Sequence, residues 1–363
     1  MPKSVVITLC VIAIVVIAAV AAVLIMRARK RWLMVQKLEA RDDDQVRYAF
    51  VINPSKPQAA SVRIRIEEYC RDKGIQDIRF IDTQLDKDGS VCAEEALRDG
   101  AGVVVAVGGD GTVRTVASAM AGTDHAMGIV PIGTGNLFAR NMGIPVGDVD
   151  AALAVATSHG SSHVDVGWMS LRDGAEPDRK HAFLIIAGIG FDALMIDDTD
   201  PNLKKTVSWL AYFISGAKHL FAPKYTGDIT VIRPDGSAQI NTSVSFRTFM
   251  AGNCGEIPGF SLMPNASYDD GLLDFELIDT TAGLFGWANL LGDVMHQTIT
   301  RKANQSPLST NSTIVQMQGS RSDIRLVEPA LAQVDGDILG ETKHIQVTVD
   351  HQALCVRVPQ EAD

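Results

Sequence analysis

A glycine-rich pentapeptide at residues 108–112 (GGDGT) is the segment of this sequence best suited to bind phosphate. It lies between an apolar run ending at Val107 and a helical pattern beginning at Val113. Glycines let backbone N–H groups approach a ligand closely, and a helix N-terminus favours phosphate oxygens. Asp110 alone would repel phosphate, so its presence implies an intervening cation, most simply Mg²⁺ on a nucleoside triphosphate. The alternative is a tight strand-to-helix turn that needs glycine for its backbone conformation.

A second glycine loop, residues 131–136 (PIGTGN), follows the next apolar run along the chain. Loops after neighbouring parallel strands meet beyond the carboxyl ends of those strands, where open α/β sheets bind ligands. We therefore expect the two loops to face one site. Neither loop is a Walker loop, because the terminal Gly-Lys-Ser/Thr is missing, and no G-x-G-x-x-G follows the first strand.

Before about residue 164, apolar runs alternate with helical patterns. The predicted strands are 48–52, 78–81, 102–107 and 127–132, and the predicted helices are 59–73, 90–98 with Ser90 as the cap, 113–120, and one from Leu137 that ends by Gly143. This alternation is typical of a parallel sheet with helices on both faces.

After about residue 164 the runs become short, mostly turn-bounded and often alternating, which predicts an antiparallel, sandwich-like region interrupted by two helical stretches. The predicted strands are 164–166, 183–186, 229–232, 244–249, 272–278, 324–327, 345–349 and 354–358.

The composition narrows the class of protein. The chain of 363 residues has 33 Lys+Arg and 43 Asp+Glu, a formal net charge of -10, which excludes the basic face needed to bind nucleic acid. With 46% hydrophobic residues the body is globular, and its length favours two domains. The 5 cysteines include no C-x-x-C pair, so neither a disulfide framework nor a zinc site is indicated.

The amino-terminal segment predicts a membrane anchor. Residues 5–26 carry no charged side chain and, at about 1.5 Å per residue, can cross about 30 Å of hydrocarbon. The alternative is a cleaved signal peptide with a small-residue site at 19–21. The basic residues that follow predict a single-pass membrane protein with its soluble part in the cytoplasm and a contact with anionic lipid. They are Arg27, Arg29, Lys30 and Arg31.

Several motifs occur in a characteristic order along residues 46–358. They are NP at 53–54, GGDGT at 108–112, PIGTGNLFARNMGIP at 131–145, HVDVG at 163–167, GFDA at 190–193, DGLLD at 270–274 and VDG at 334–336. Together they resemble the diacylglycerol kinase catalytic domain family, which includes bacterial diacylglycerol kinases and sphingosine kinases.

The resemblance implies a kinase that uses ATP and Mg²⁺ to phosphorylate a lipid hydroxyl, by default that of diacylglycerol. The implied fold class is α/β plus all-β, with a Rossmann-like nucleotide-binding domain and an antiparallel β-sandwich. The predicted divisions are 1–31 for the anchor and its basic flank, 32–45 for a linker, 46–163 for the ATP-binding domain and 164–363 for the lipid-binding and catalytic domain, whose last strands are allowed to return to the first domain.

The resemblance also implies site residues. Asp165 would join Asp110 in the water network around a catalytic Mg²⁺, and Asp270 would hold a structural Mg²⁺ with backbone oxygens of Ser267 and Leu272. An ordinary hairpin turn is the alternative at Asp270. The implied ATP contacts are Asn53, Pro54, Lys56, Thr83, Gly108, Gly109, Asp110, Gly111, Thr112, Gly133, Thr134, Gly135 and Asn136.

Three departures from the family pattern bear on the chemistry. Lys56-Pro57 replaces the usual Ser and Gly, and Arg114-Thr115 replaces Asn-Glu. The family's D-G-E becomes D-G-D, ending in Asp337. We predict Asp337 as the general base; Asp335 is the competing base, but its position before the glycine suggests that it holds the turn.

Other functions stay open at this point. The acceptor could be a sphingoid base, a monoacylglycerol or another lipid alcohol, and a membrane-tethered nucleotide-binding sensor without transfer activity is a different class. An NAD kinase or 6-phosphofructokinase-like enzyme shares GGDGT, but the anchor and the GTGNLFARN stretch argue against it. The predicted partners are a membrane lipid substrate and an anionic membrane surface, and a homodimer is left open.

Overall fold

The computed structural model describes residues 46–191, 193–194, 223–254, 256–257, 260–261, 263, 265–280 and 312–360. The predicted membrane anchor, the linker and both predicted helical interruptions after residue 200 lie outside these residues. Among the helices that the structure describes, none combines the length and the apolar character needed to cross a membrane.

The first part of the body is built on a parallel sheet, as predicted. Its strands pair in the order β2-β1-β3-β4. The elements are β1 Tyr48–Ile52, α1 Ala59–Asp72, β2 Ile78–Asp82, α2 Gly89–Arg98, β3 Val103–Gly108, α3 Asp110–Met120, β4 Ala126–Pro131, α4 Leu137–Asn141 and α5 Val149–Ala156. Every residue of β3 and β4 is buried, which explains their continuous apolar sequence.

Three helix assignments differ from the sequence expectation. The cap of α2 is Asp88, not Ser90, because the Asp88 carboxylate accepts from the first free amides of the helix. Helix α3 begins at Asp110 rather than Val113, because the extended Gly109 ends the loop early. The alanine-rich α5 was not predicted, since nearly all its residues are buried and it lacks an amphipathic period.

The remaining strands are largely antiparallel. They are β5 Ser161–Leu171, β6 His181–Phe183, β7 Ile186–Gly190, β8 Tyr225–Ile232, β9 Ala238–Phe246, β10 Thr248–Gly252, β11 Glu256–Ile257, β12 Phe260–Ser261, β13 Leu273–Thr280, β14 Ser312–Gly319, β15 Arg321–Val334 and β16 Asp337–Arg357. Apart from the β11-β12 pair, the described strands join β1–β4 in one 14-stranded sheet. The molecule is therefore a mixed α/β fold with a large sheet.

The strands of this second part are longer than the sequence runs suggested. The runs 345–349 and 354–358 belong to one strand, β16, which has an irregularity between Asp350 and Leu354. The run 183–186 is divided between β6 and β7, because the amides of residues 184–186 donate to a side chain instead of a neighbouring strand. Interruptions in the hydrogen bonding between long strands therefore divide the sequence pattern into short runs.

Strand β16 links the two parts of the sheet. It pairs antiparallel with β15 and β5 along most of its length, and near its end Cys355 lies beside Ala126 of β4 in parallel. One apolar core lies around β1–β4 and includes Leu354 and Val356, and a second contains Phe249 and Phe275. The predicted division at 163/164 falls within β5, and the domain limits stay a prediction.

Candidate active site at the edge of the sheet

The two glycine loops touch each other. Because β3 and β4 are parallel neighbours, the loops that follow them leave the same edge of the sheet. A Cβ atom added to Gly133 would lie 2.5 Å from the Cα of Gly109, closer than side chains pack. Glycine is therefore required at this contact because two backbones approach closely, which leaves main-chain groups at the mouth of the site.

Asp110 ties the second loop to the first. Its carboxylate accepts hydrogen bonds from the backbone N–H of Asn136 at 2.8 Å and of Leu137 at 2.6 Å. Burial raises the pKa of Asp110, and these backbone donors act in the opposite direction. Both oxygens already hold the first turn of α4, so the first role of this carboxylate is to fix the geometry of the loops.

Asn136 shapes the second loop from within. Its backbone is left-handed (φ 49°), and its buried side chain accepts from the Gly133 N–H at 3.0 Å and donates to the Gly133 carbonyl at 2.7 Å. This closed ring fixes the turn around Gly133. Thr134 is exposed at its tip, and the Gly135 carbonyl accepts from Arg140 Nε at 2.9 Å.

The residues that follow β1 and β2 lie at the same edge of the sheet, and Asn53 contacts the first loop. Asn53 Nδ2 donates to Thr112 Oγ1 at 3.2 Å, while Asn53 Oδ1 accepts from Ser55, in the turn that contains Pro54. The Thr83 amide donates to the Ile52 carbonyl at 2.9 Å, which continues the sheet pairing to this edge. The predicted contacts from four segments are thus brought to one edge of the sheet.

Lys56 lies against the first glycine loop. A Cβ atom added to Gly109 would lie 3.7 Å from Lys56 Nζ, and the preceding residue, Gly108, is the last of β3. Lys56, which stands where the family has a small residue, therefore places a point positive charge where the two glycine loops meet.

Asp335 holds the turn between β15 and β16. Its carboxylate accepts from three backbone amides, those of Leu184 at 2.7 Å, Ile185 at 3.0 Å and Ile186 at 2.9 Å. Burial raises the pKa of Asp335 to about 6, although the amides and Arg114 act in the opposite direction. These contacts occupy the carboxylate with the main chain of the 184–186 segment.

Asp337 faces the first glycine loop from the other side. Its side chain is 54% exposed and pairs with Arg114, with Nη2–Oδ2 at 2.6 Å. A Cβ atom added to Gly111 would lie 3.5 Å from Asp337 Oδ2, so the carboxylate is close to the loop backbone. Of the two acidic residues in the turn, Asp337 is the one directed toward the glycine loops.

Asp165 is fully buried and belongs to a different set of contacts. Oδ1 accepts from the Gln352 amide at 2.6 Å and lies 2.9 Å from His351 Nδ1, while Oδ2 accepts from the Gly271 amide at 2.6 Å. Its described contacts do not include Asp110 or either glycine loop. The structure therefore does not bring the two predicted magnesium-network residues into contact.

The turn at residues 267–272 is acidic. Ser267 Oγ donates to Asp269 at 2.6 Å, and the Leu272 amide donates to Asp270 Oδ1 at 3.0 Å. The pKa of Asp270 is raised by burial and then by the charges of Asp165 and Asp269. Such accumulated negative charge fits a divalent cation, although no group of three or more His, Cys, Asp or Glu side chains within the described residues forms a metal site.

The sequence of this chain is similar to those of known proteins. Residues 47–169 match the diacylglycerol kinase catalytic domain family. Over 226 residues the chain is 34% identical to "Probable lipid kinase YegS-like" of Xanthomonas oryzae pv. oryzae, covering 59% of this chain and 67% of that protein. Over 232 residues it is 31% identical to the protein of that name from Pseudomonas aeruginosa, covering 63% and 72%. The chain belongs to the diacylglycerol kinase catalytic domain family.

The fold agrees with this family of lipid kinases. A crystal structure of a diacylglycerol kinase from Bacillus anthracis superposes with a TM-score of 0.64 at 20% identity, covering 86% of this chain and 96% of that one. The likeness shows a shared mixed α/β architecture with a large sheet.

Within this family pattern, two residues were missed as site contacts. Arg114, which the sequence shows only as a departure from the family pattern, contacts Asp337, another departure on the same edge. The co-occurrence of a new cation and a shortened carboxylate was the signal that could have linked them. His351 beside Asp165 had no sequence signal, because it depends on the irregularity in β16.

Proposed function

We propose that this family member is an ATP-dependent lipid kinase that transfers the γ-phosphate to a lipid hydroxyl, by default that of diacylglycerol, to give phosphatidic acid and ADP. The proposal rests on one observation: Gly109 and Gly133 bring the two glycine loops into contact, and the Asp337 carboxylate lies beside the first of these loops. An anion-binding edge and a proton acceptor in one place support phosphoryl transfer to an alcohol.

The nucleotide would be bound by residues 46–163. Backbone N–H groups at the start of α3, with those of Thr134 and Gly135 in the second loop, would supply the dipoles that favour phosphate. Lys56 adds a charge next to Gly109. Side chains of Asn53, Thr83 and Thr134 border the same edge and complete the set of proposed contacts.

Mg²⁺ is part of the proposal at two places. At the first glycine loop, Asp110 keeps the shape of the cradle and would meet the ion through water. At the turn of residues 267–272, Asp270 with the backbone oxygens of Ser267 and Leu272 would hold a structural ion. The buried Asp165 supports that turn because it accepts from the Gly271 amide. When bound with ATP, Mg²⁺ neutralises charge on the phosphates.

In the transfer step, residues 164–363 would present the lipid hydroxyl near Asp337. The hydroxyl proton passes to an Asp337 carboxylate oxygen, the hydroxyl oxygen forms a bond to the γ-phosphorus, and the bond from that phosphorus to the bridging oxygen of ADP breaks. Asp is one methylene shorter than Glu, about 1.5 Å of reach. The ion pair and the close approach to Gly111 support a position near the phosphates despite that shorter reach.

There are two alternatives to this proposal, one for the lipid acceptor and one for the activity. Another lipid alcohol could be the acceptor, because none of the described contacts identifies a headgroup. A nucleotide-binding sensor without transfer is favoured by the replacements at Arg114-Thr115 and Asp337.

The deciding experiment gives the full chain radiolabelled ATP, Mg²⁺ and a detergent-solubilised total lipid extract, with the products resolved by lipid class. Label in phosphatidic acid supports diacylglycerol as the acceptor, whereas label in another lipid phosphate identifies a different alcohol. ATP binding without labelled lipid would support the sensor and contradict the kinase proposal. The Asp337→Ala variant is the control for a contaminating kinase.

We also propose that residues 5–26 anchor the enzyme to the membrane with its body in the cytoplasm. A chain beginning at Asp42 should phosphorylate a short-chain, water-soluble lipid at the full-length rate but act more slowly on diacylglycerol in vesicles, because the anchor supplies proximity and not chemistry. The ratio of the two rates is the measurement. Equal vesicle rates for the truncated and full-length chains would contradict delivery by the anchor.

A further inference from the structure

Two of the three departures from the family pattern are in contact at the edge of the sheet that carries the glycine loops. Arg114 and Asp337 are 223 residues apart in sequence, yet Nη2 donates to Oδ2 at 2.6 Å. A hydrogen bond between two ionised groups is shorter and stronger than one between neutral groups. Arg114, which stands where the family has asparagine, is therefore paired with Asp337, which stands where the family has glutamate.

The backbone of the turn is fixed, but the Asp337 side chain has one described polar partner. Asp335 fastens the turn to residues 184–186, and the Gly336 amide donates to Gln333 Oε1 at 2.9 Å. Beyond these contacts, the exposed Asp337 carboxylate could occupy several staggered rotamers. The contact with Arg114 selects one of them.

Arg114 is held more firmly than the carboxylate that it contacts. Its side chain is 13% exposed against 54% for Asp337, and Nη1 lies 3.5 Å from the Ala182 carbonyl. Nε is buried and has no hydrogen-bond partner among the described atoms. The guanidinium is therefore the enclosed member of the pair, and the carboxylate is the exposed one.

Arg114 belongs to the helix that begins in the first glycine loop. It follows Gly111 by three residues on α3, and Asp337 Oδ2 lies beside Gly111. One short segment therefore carries both the proposed phosphate cradle and the cation that orients the carboxylate toward it.

We propose that Arg114 is a positioning residue, which holds Asp337 over Gly111 so that this shorter carboxylate can accept the proton of the lipid hydroxyl. The inference rests on the proposed function and adds a role for a residue outside the family pattern. Misplacing a reacting group by about 1 Å can cost about 10²-fold in rate. The loss of Arg114 should therefore lower kcat rather than weaken the binding of ATP.

The test is a double-mutant cycle with Arg114→Met and Asp337→Ala in the full chain, assayed with ATP and solubilised diacylglycerol. Met keeps the unbranched apolar stem and removes the charge. We expect Arg114→Met to lower kcat about 10- to 100-fold, with KM for ATP changed less than about 2-fold. In the Asp337→Ala background the same substitution should cost less than about 2-fold, because the group that it positions is already absent.

Two further measurements separate positioning from other roles. Titration with a non-hydrolysable ATP analogue should give the same Kd for wild type and Arg114→Met, independently of turnover. Arg321→Met is the matched control, an exposed arginine at the opposite end of β15 from the turn, and should retain the wild-type rate. Unfolding temperatures within a few degrees of wild type would show that the variants are folded.

The outcomes are distinct. Multiplicative losses in the double mutant, or a weakened analogue Kd in Arg114→Met, would overturn positioning and place Arg114 on the phosphates. A rate for Arg114→Met like that of Arg321→Met would also overturn it. In both cases the lipid kinase activity of the wild type would stand, whereas a wild type that phosphorylates no lipid overturns the proposed function and the inference together.

Discussion

The glycine-loop edge and the acidic turns of the second part use opposite polar groups. At the first edge, glycines let the two loop backbones approach each other, and the Asp110 carboxylate holds the loops together. In the second part, Asp165 and Asp335 each accept from neighbouring amides and are turned away from the first edge. Asp337 differs from them because its described partner is a side chain.

This difference separates structural from chemical carboxylates. A carboxylate that accepts two or three main-chain donors replaces backbone pairing at a turn, and its removal leaves those donors unsatisfied. An exposed carboxylate that is paired with one side chain can still accept a proton from a substrate. The comparison predicts different losses on mutation, stability for the first kind and rate for the second.

The largest effect is expected at Asp337. We expect Asp337→Ala to lower kcat for lipid phosphorylation by about 10²–10⁴-fold with nearly unchanged ATP affinity, because a general base is lost without a change in the cradle. Asp337→Glu should retain substantial activity, since it restores the residue usual in the family. Steady-state kinetics of both variants make the measurement, and an Asp337→Ala rate within a few-fold of wild type would remove Asp337 as the base.

Asp335→Ala should act on folding instead. Three amides lose their acceptor, at about 1–3 kcal/mol for each buried unsatisfied group, so the free energy of unfolding should fall by about 3 kcal/mol or more. Urea denaturation at pH 7 measures it. Asp335→Asn keeps one acceptor oxygen and should lose less. If Asp335→Ala were as stable as wild type but inactive, Asp335 would be a chemical residue and the comparison would fail there.

A third kind of carboxylate in the second part is almost completely enclosed. Glu276 on β13 is 2% exposed, and its Oε2 has no hydrogen-bond partner among the described residues. Burial raises its pKa to about 8, with Asp274 adding to the shift and Gln316 opposing it. Its folded-state pKa lies above the unfolded value, so the stability that it contributes is present at low pH and is lost as pH rises toward 8.

Glu276→Gln tests this with a pH series. Between pH 5 and 8 the wild-type free energy of unfolding should fall by on the order of 3 kcal/mol through Glu276. Asp274 and Asp335, whose pKa values burial raises to about 6, add to the fall at the acidic end. In Glu276→Gln the free energy of unfolding should lack the part of this fall that comes from Glu276. Glu328→Gln, an exposed control on β15, should show the whole fall. Parallel curves for the two variants would contradict the assignment.

The smallest expected effect is at the contact between the loops. A methyl group at Gly133 would meet the Gly109 backbone at 2.5 Å, so Gly133→Ala should push the loops apart and weaken ATP binding about 10-fold with little loss of stability. The Kd of an ATP analogue is the measurement. Gly174→Ala, in an exposed turn, is the matched control. Equal affinity for both variants would show that the loops do not form one nucleotide site.

The parallel part of the fold was predictable because its signals are local. The strand 48–52 and the helix beginning at Ala59 agree with the structure, since a continuous apolar run or a helical period is contained within a few residues. The antiparallel part was less predictable. Its long strands β15 and β16 are interrupted by irregularities that a sequence pattern reads as ends.

The two glycine loops, the acidic turns and the family resemblance can be read from the sequence, because each depends on residue types within short segments. The role of each carboxylate depends instead on contacts between distant segments. Asp110, Asp165, Asp335 and Asp337 carry the same functional group, and the partners named here lie 26, 187, 151 and 223 residues away along the chain. Contacts at such separations are set by how the sheet closes, so the backbone amides it brings to three of these carboxylates, and the arginine it brings to the fourth, assign their roles.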